Sequence, residues 1–135
     1  MKRKKKLTLE DKLDDIFSDY IRLRDADYRG YIRCYCCGYP VHWKLAHNSH
    51  FMNRWHTGTR YYPPNCHSCC SICNTSKGGN LDAYKDHLKR DFGDTIIEVL
   101  TMMKNTITKY TDDELEGMII HYRNEVKKLK KEKGL

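Results

Sequence analysis

Between Tyr31 and Leu81 the chain has no aspartate and no glutamate. Nucleases that hold two metal ions on a carboxylate cluster are excluded from this segment, because the ligands are missing. Long apolar runs are missing as well. None approaches the roughly 18–20 residues of a spanning helix, and the basic start Met1–Lys6 leads into no apolar signal core. These absences set the expectation of a soluble, cytoplasmic protein with no membrane partner. Apolar residues make up only 39% of the 135. That composition bounds the chain to one thin-cored domain and calls for a staple beyond hydrophobic burial. An even cysteine count is also lacking: seven cysteines without an export signal argue against a disulfide framework and for metal.

What is present is positive charge. Lys and Arg number 25 against 18 Asp and Glu, a net charge of +7, which favours an anionic partner, nucleic acid first. The acid-free segment carries Arg33, Lys44, Arg54, Arg60 and Lys77. A phosphate approaching it is expected to meet no repulsion.

The chain divides into three parts. Residues 1–30 hold a basic arm and a helix that starts at Thr8 as N-cap with Asp11 three residues on, followed by Leu9, Leu13, Ile16, Phe17 and Tyr20 at helical spacing. Residues 31–93 form the cysteine- and histidine-rich core, in which hairpin pieces and loops fit the composition better than long helices. A helix from Leu81 closes this part at Gly93, a good stop. Residues 94–135 carry a stripe from Ile96 to Met103 and a helix opened by Thr111 and Glu114, with the tail Lys127–Lys133 expected to fray.

Cys34 and Cys37 form one Cys-x2-Cys pair, the spacing at which two thiolates reach a single zinc ion. The second cluster offers two such pairs, Cys66/Cys69 and Cys70/Cys73, and spacing alone does not choose between them. Either choice completes a closed, structural Zn²⁺ site. Between the clusters lies His47-Asn48-Ser49-His50-Phe51-Met52-Asn53-Arg54, with Asn65 before the second cluster and Asn74 directly after Cys73. Phosphodiester cleavage here needs a neutral His as base and a metal held by few, uncharged ligands. An Asn74 amide oxygen suits Mg²⁺ or Mn²⁺. His42, His56 and His87 read as surface residues, and Trp43, Phe51 and Tyr61 as core. His67 divides evenly between bonding a turn and touching a phosphate.

Tyr20-Ile21-Arg22-Leu23-Arg24-Asp25-Ala26, Cys34-x2-Cys37-Gly38, Trp43, His50-Phe51-x2-Arg54, Asn65-x-His67-x2-Cys70-x2-Cys73-Asn74 and Lys77-x-Gly79-Asn80 occur in order. In these motifs the chain resembles the NinG/Rap recombination proteins of lambda-type phages, over about residues 13–129. The resemblance implies a zinc-containing relative of HNH (His-Me finger) endonucleases that acts on Holliday junctions and D-loops. It implies an α+β fold, a zinc-stapled ββα-metal core with flanking helices. It also implies Cys34, Cys37, Cys70 and Cys73 as zinc ligands, leaving Cys36, Cys66 and Cys69 outside the site.

The same resemblance makes His50 the general base, Asn65 the residue that orders the loop and steadies it, and Asn74 the catalytic metal ligand. Arg54 becomes a phosphate contact. Two positions depart from the family pattern: Ser49 stands where Gly usually precedes the active His, and Lys44 where an acid often follows the Trp. His47 is the candidate to replace that acid at the metal. Lys44, Arg54, Arg60, His67 and Lys77 are the expected DNA contacts, on branched or double-stranded DNA. Symmetric resolution of two strands favours a homodimer, and a phage-encoded chain would work in the host bacterial cytoplasm. The rival reading is a non-catalytic zinc module that binds nucleic acid, RNA included. It has no use for the His50/Asn65/Asn74 set.

Overall fold

Thr8 begins the first helix because its hydroxyl accepts from the Asp11 amide while the Asp11 carboxylate accepts from the Thr8 amide, both at 3.1 Å. This reciprocal pair satisfies two amides that a helix start would leave open. The computed structural model describes residues 6–135, so the expected basic arm lies, apart from Lys6, outside the described residues. Helix α1 spans Leu9–Asp25 and buries Leu13, Phe17, Ile21 and Leu23. Two antiparallel pairs follow: β1 (Tyr31–Arg33) with β2 (Pro40–His42), and β3 (His47–His50) with β4 (Cys66–Cys69). A short helix α2 (Thr57–Arg60) lies in the connection between β3 and β4, and a π-helical turn, Ile72–Ser76, follows β4. Helices α3 (Leu81–Phe92), α4 (Ile96–Lys104) and α5 (Asp112–Lys133) complete the chain. The fold is mixed α+β, with two small sheets among helices.

Helix α5 repeats the α1 solution at its start, with Thr111 and Glu114 forming the same reciprocal cap. The two helices run in the same direction. Leu13 and Phe17 share a cluster with Leu115, Ile119 and Tyr122, and Leu23 shares one with Val126. Phe17 meets Tyr122 edge-on at 5.0 Å and Tyr61 at 5.7 Å, contacts worth about 0.5–1.5 kcal/mol each beyond burial. Tyr61 and Cys66 belong to that cluster too, so helices from both ends of the chain support the back of the central segment. Behind the cysteines, α3 and α4 pack through Tyr84, Leu88, Ile96 and Leu100. Gly58 of α2 abuts α4 so closely that a side chain there would run into the Met103 carbonyl.

The lysine-rich tail does not fray. Helix α5 continues through Lys133, whose ammonium donates to the carbonyls of Leu23 (2.7 Å), Arg24 (3.0 Å) and Ala26 (2.7 Å). These carbonyls lie at the negative end of α1, where a cation is favoured. Charge repulsion among the tail lysines is offset by this docking. Lys133→Met keeps the stem and removes the three donors, so urea denaturation should show a loss of about 1–3 kcal/mol. An unchanged midpoint would mean that the clamp contributes nothing.

Candidate active site and metal centre

The hairpin turn after β1 is a knuckle. The Gly38 amide donates to the Cys34 carbonyl at 2.8 Å, with Gly38 at φ +78°, and the Cys34 amide donates to Tyr39 at 2.9 Å. The turn after β4 supplies the other half, where the Cys73 amide donates to Cys70 Sγ at 3.4 Å. Cys34, Cys37, Cys70 and Cys73 thereby place their sulfurs within 4.8 Å of one another. Tetrahedral zinc with bonds of about 2.3 Å needs sulfurs about 3.8 Å apart. Cys37 and Cys70 are 3.8 Å apart. The donor set fits, and these four cysteines can bind a structural metal such as zinc.

Geometry also decides between the two candidate pairs. Cys66 and Cys69 stand at opposite ends of β4, opposite His50 and His47 respectively. Three strand steps cover about 10 Å and turn the two side chains to opposite faces. Cys66 packs among the helices and lies beside the Arg60 carbonyl. Cys36 and Cys69 sit next to the four, with their sulfurs 3.7 Å apart.

At the end of β3, His50 Nε2 lies 3.0 Å from the Arg60 carbonyl oxygen. A carbonyl only accepts, so Nε2 carries the proton and Nδ1 keeps its lone pair. Burial holds the His50 pKa below the ordinary histidine value, which keeps the ring neutral. The loop that supplies this carbonyl is tied by Asn65, fully buried just before β4. Asn65 Oδ1 accepts from the Met52 amide (2.8 Å), and its amide nitrogen donates to the Met52 (3.1 Å) and Thr59 (3.2 Å) carbonyls. Tyr84 adds a further anchor, donating to the Ser49 carbonyl at 2.7 Å.

Asn74 sits in the π-helical turn and donates its amide N–H to His47 Nδ1 at 3.1 Å. That bond leaves the Asn74 carbonyl oxygen available as a ligand. His47, His50, Asn74 and Arg54 line one cavity of about 700 Å³.

The same cavity contains what the sequence did not signal. Asp14 and Asp15 of α1 form part of its wall. The expectation of an acid-free surface is corrected here: the central segment lacks carboxylates, but α1 folds onto it and supplies them. Helical phase was the only available signal, since Asp14, Asp15 and Ser18 lie beside the Leu13/Phe17 stripe.

Two expected DNA contacts are placed differently. Arg60 forms a two-pronged ion pair with Asp14, with Nε at 3.0 Å from Oδ1, so its charge is spent within the fold. His67 is buried, stacked on Tyr35 at 3.8 Å and bonded through Nδ1 to the Tyr84 hydroxyl at 3.2 Å. Burial pushes its pKa down to about 4, so at neutral pH it brings no charge to a phosphate. Lys44, Arg54 and Lys77 are exposed. Of the residues read as core, Trp43 and Tyr61 are buried and Phe51 half-buried. His42 and His56 are half-buried, and His87 bonds the Tyr35 carbonyl through Nδ1.

Among the described residues no helix is long and apolar enough to cross a membrane. A family model described as Bacteriophage Lambda NinG protein matches residues 1–132. No curated protein and no solved structure shows a significant match.

Proposed function

The chain belongs to the bacteriophage lambda NinG family, and on that premise we propose that it is a metal-dependent DNA endonuclease of HNH type acting on branched recombination intermediates. The observation that carries this reading is the His50 tautomer. An imidazole whose Nε2–H is held by a backbone carbonyl, on a residue that lines the same cavity as Asn74, is built to take a proton from water at Nδ1. A module that only binds nucleic acid gains nothing from that arrangement.

In this reading β3, β4 and the turn that follows are the ββα-metal element, and the four cysteines anchor it through zinc. Asn74 would hold a Mg²⁺ or Mn²⁺ ion through its carbonyl oxygen. His47 would orient that oxygen by accepting from the Asn74 amide rather than bind the ion itself. Asp15 adds negative charge to the cavity wall, while Asp14 is paired with Arg60. When bound, that ion supplies charge neutralisation for the phosphate and the leaving 3′ oxygen. The rest is done by the protein. His50 Nδ1 removes the proton from the attacking water, and the Arg60 carbonyl steadies the imidazolium that forms. Arg54 pairs with a phosphate oxygen and fixes the strand against the cavity. Asn65 acts through the loop, keeping the Arg60 carbonyl in place.

The test is a metal titration of strand nicking on a synthetic four-way junction. Asn74→Ala should need about tenfold or more additional Mn²⁺ to reach half-maximal rate, while junction affinity stays the same. An unshifted metal requirement would remove Asn74 from the metal. Binding without any nicking, under every metal condition, would favour the rival zinc module.

A further inference from the structure

The chain has two tryptophans, and they are used in opposite ways. Trp43 is buried, whereas Trp55 is 75% exposed. A single exposed apolar residue needs no explanation by itself. Trp55 differs in where it sits and how it is held. It lines the cavity that contains His50 and Asn74. Its backbone amide donates to Asn53 Oδ1 at 2.9 Å, and the His56 amide donates to the Asn53 carbonyl at 2.9 Å. The side chain therefore stands on an ordered turn rather than on a loose tip. The Arg54 guanidinium lies 5.8 Å from its ring centre. The cation lies over one face of the ring, and the indole as a whole stays 75% exposed at the cavity that Arg54 and Trp55 both line.

We propose that Trp55 is the platform on which an unpaired base at a DNA branch point stacks, with Arg54 holding the phosphate beside it. Intact duplex keeps every base face covered by its neighbours, so it has no base to give this ring. A fork or a junction with an open nucleotide does. Every base has a π-face, so the preference is for DNA structure and not for sequence. The proposal rests on the nuclease reading for its choice of DNA as occupant. It adds what that reading lacks, the residue that tells branched DNA from duplex.

The test places 2-aminopurine, a fluorescent adenine analogue, at the unpaired position of a synthetic fork. Binding is followed without added Mg²⁺ or Mn²⁺ so that the strands stay intact. The zinc-loaded protein should quench the probe, and Trp55→Ala should abolish the quench. The same variant should weaken fork binding about tenfold while leaving affinity for blunt duplex unchanged, and Trp55→Phe should recover part of both signals. An unchanged quench in Trp55→Ala would overturn the proposal. Equal loss on fork and duplex would do the same, as would an effect confined to self-association or to a protein partner. The two readings fail separately. A fork-specific quench without cleavage when metal is added sinks the nuclease and leaves the platform, whereas cleavage that ignores Trp55 sinks the platform alone.

Discussion

Removing zinc with a strong chelator, or replacing Cys70 by serine, is expected to unfold the protein. The central segment has few branched aliphatic residues (Ile32, Val41, Leu45 and Ile72) to hold its two knuckles together, and Cys34, Cys70 and Cys73 are themselves part of the buried cluster under α3 and α4. Structural zinc supplies on the order of 10 kcal/mol, as much as the whole stability of a small domain. Loss of one thiolate removes most of it. Cys66→Ser is the control. It places a hydroxyl in an apolar helix cluster, costs about 1–3 kcal/mol, and should retain one zinc per chain. Elemental analysis and thermal melts read both outcomes. Equal loss of zinc from the two variants would undo the ligand assignment.

His50→Ala should lower turnover by about 10²–10⁴-fold with little change in DNA affinity, the range for a lost general base. The pH dependence gives a second, independent reading. Burial disfavours the charged imidazolium, so the His50 pKa lies below its ordinary value. In the proposed mechanism the active form is the neutral ring. It therefore persists to lower pH than a free histidine would allow, and the acid limb of kcat/KM should fall below about pH 6.5. A limb well above pH 7, or a variant that cleaves at the normal rate, would exclude His50 as the base.

Local signals proved readable, and signals that depend on packing did not. The caps at Thr8/Asp11 and Thr111/Glu114 involve residues three apart, so the sequence alone located both helix starts. The Cys34/Cys37 pair was legible for the same reason. Cys66/Cys69 and Cys70/Cys73 are identical as spacings; the family resemblance points to the second pair, and the end of β4 at Cys69 gives the physical reason, because a strand spreads two side chains that a turn brings together. Taken alone, the acid-free segment reads as a uniformly positive surface. That reading failed because charge belongs to the folded surface: α1 brings Asp14 to Arg60 and Asp25 to the Ser68 amide. Lys133 looked like one more solvated tail lysine. Its three acceptors lie more than a hundred positions away in the chain, and no periodicity could announce them.

Single-turnover cleavage of a branched DNA by the zinc-loaded protein tests the central claim most directly, because it asks for the chemistry itself. The cavity predicts strand breaks close to the branch, dependent on added Mg²⁺ or Mn²⁺, with a 5′-phosphate on the new end. Intact DNA at protein concentrations that saturate the junction, with zinc retained and either metal present, would contradict it.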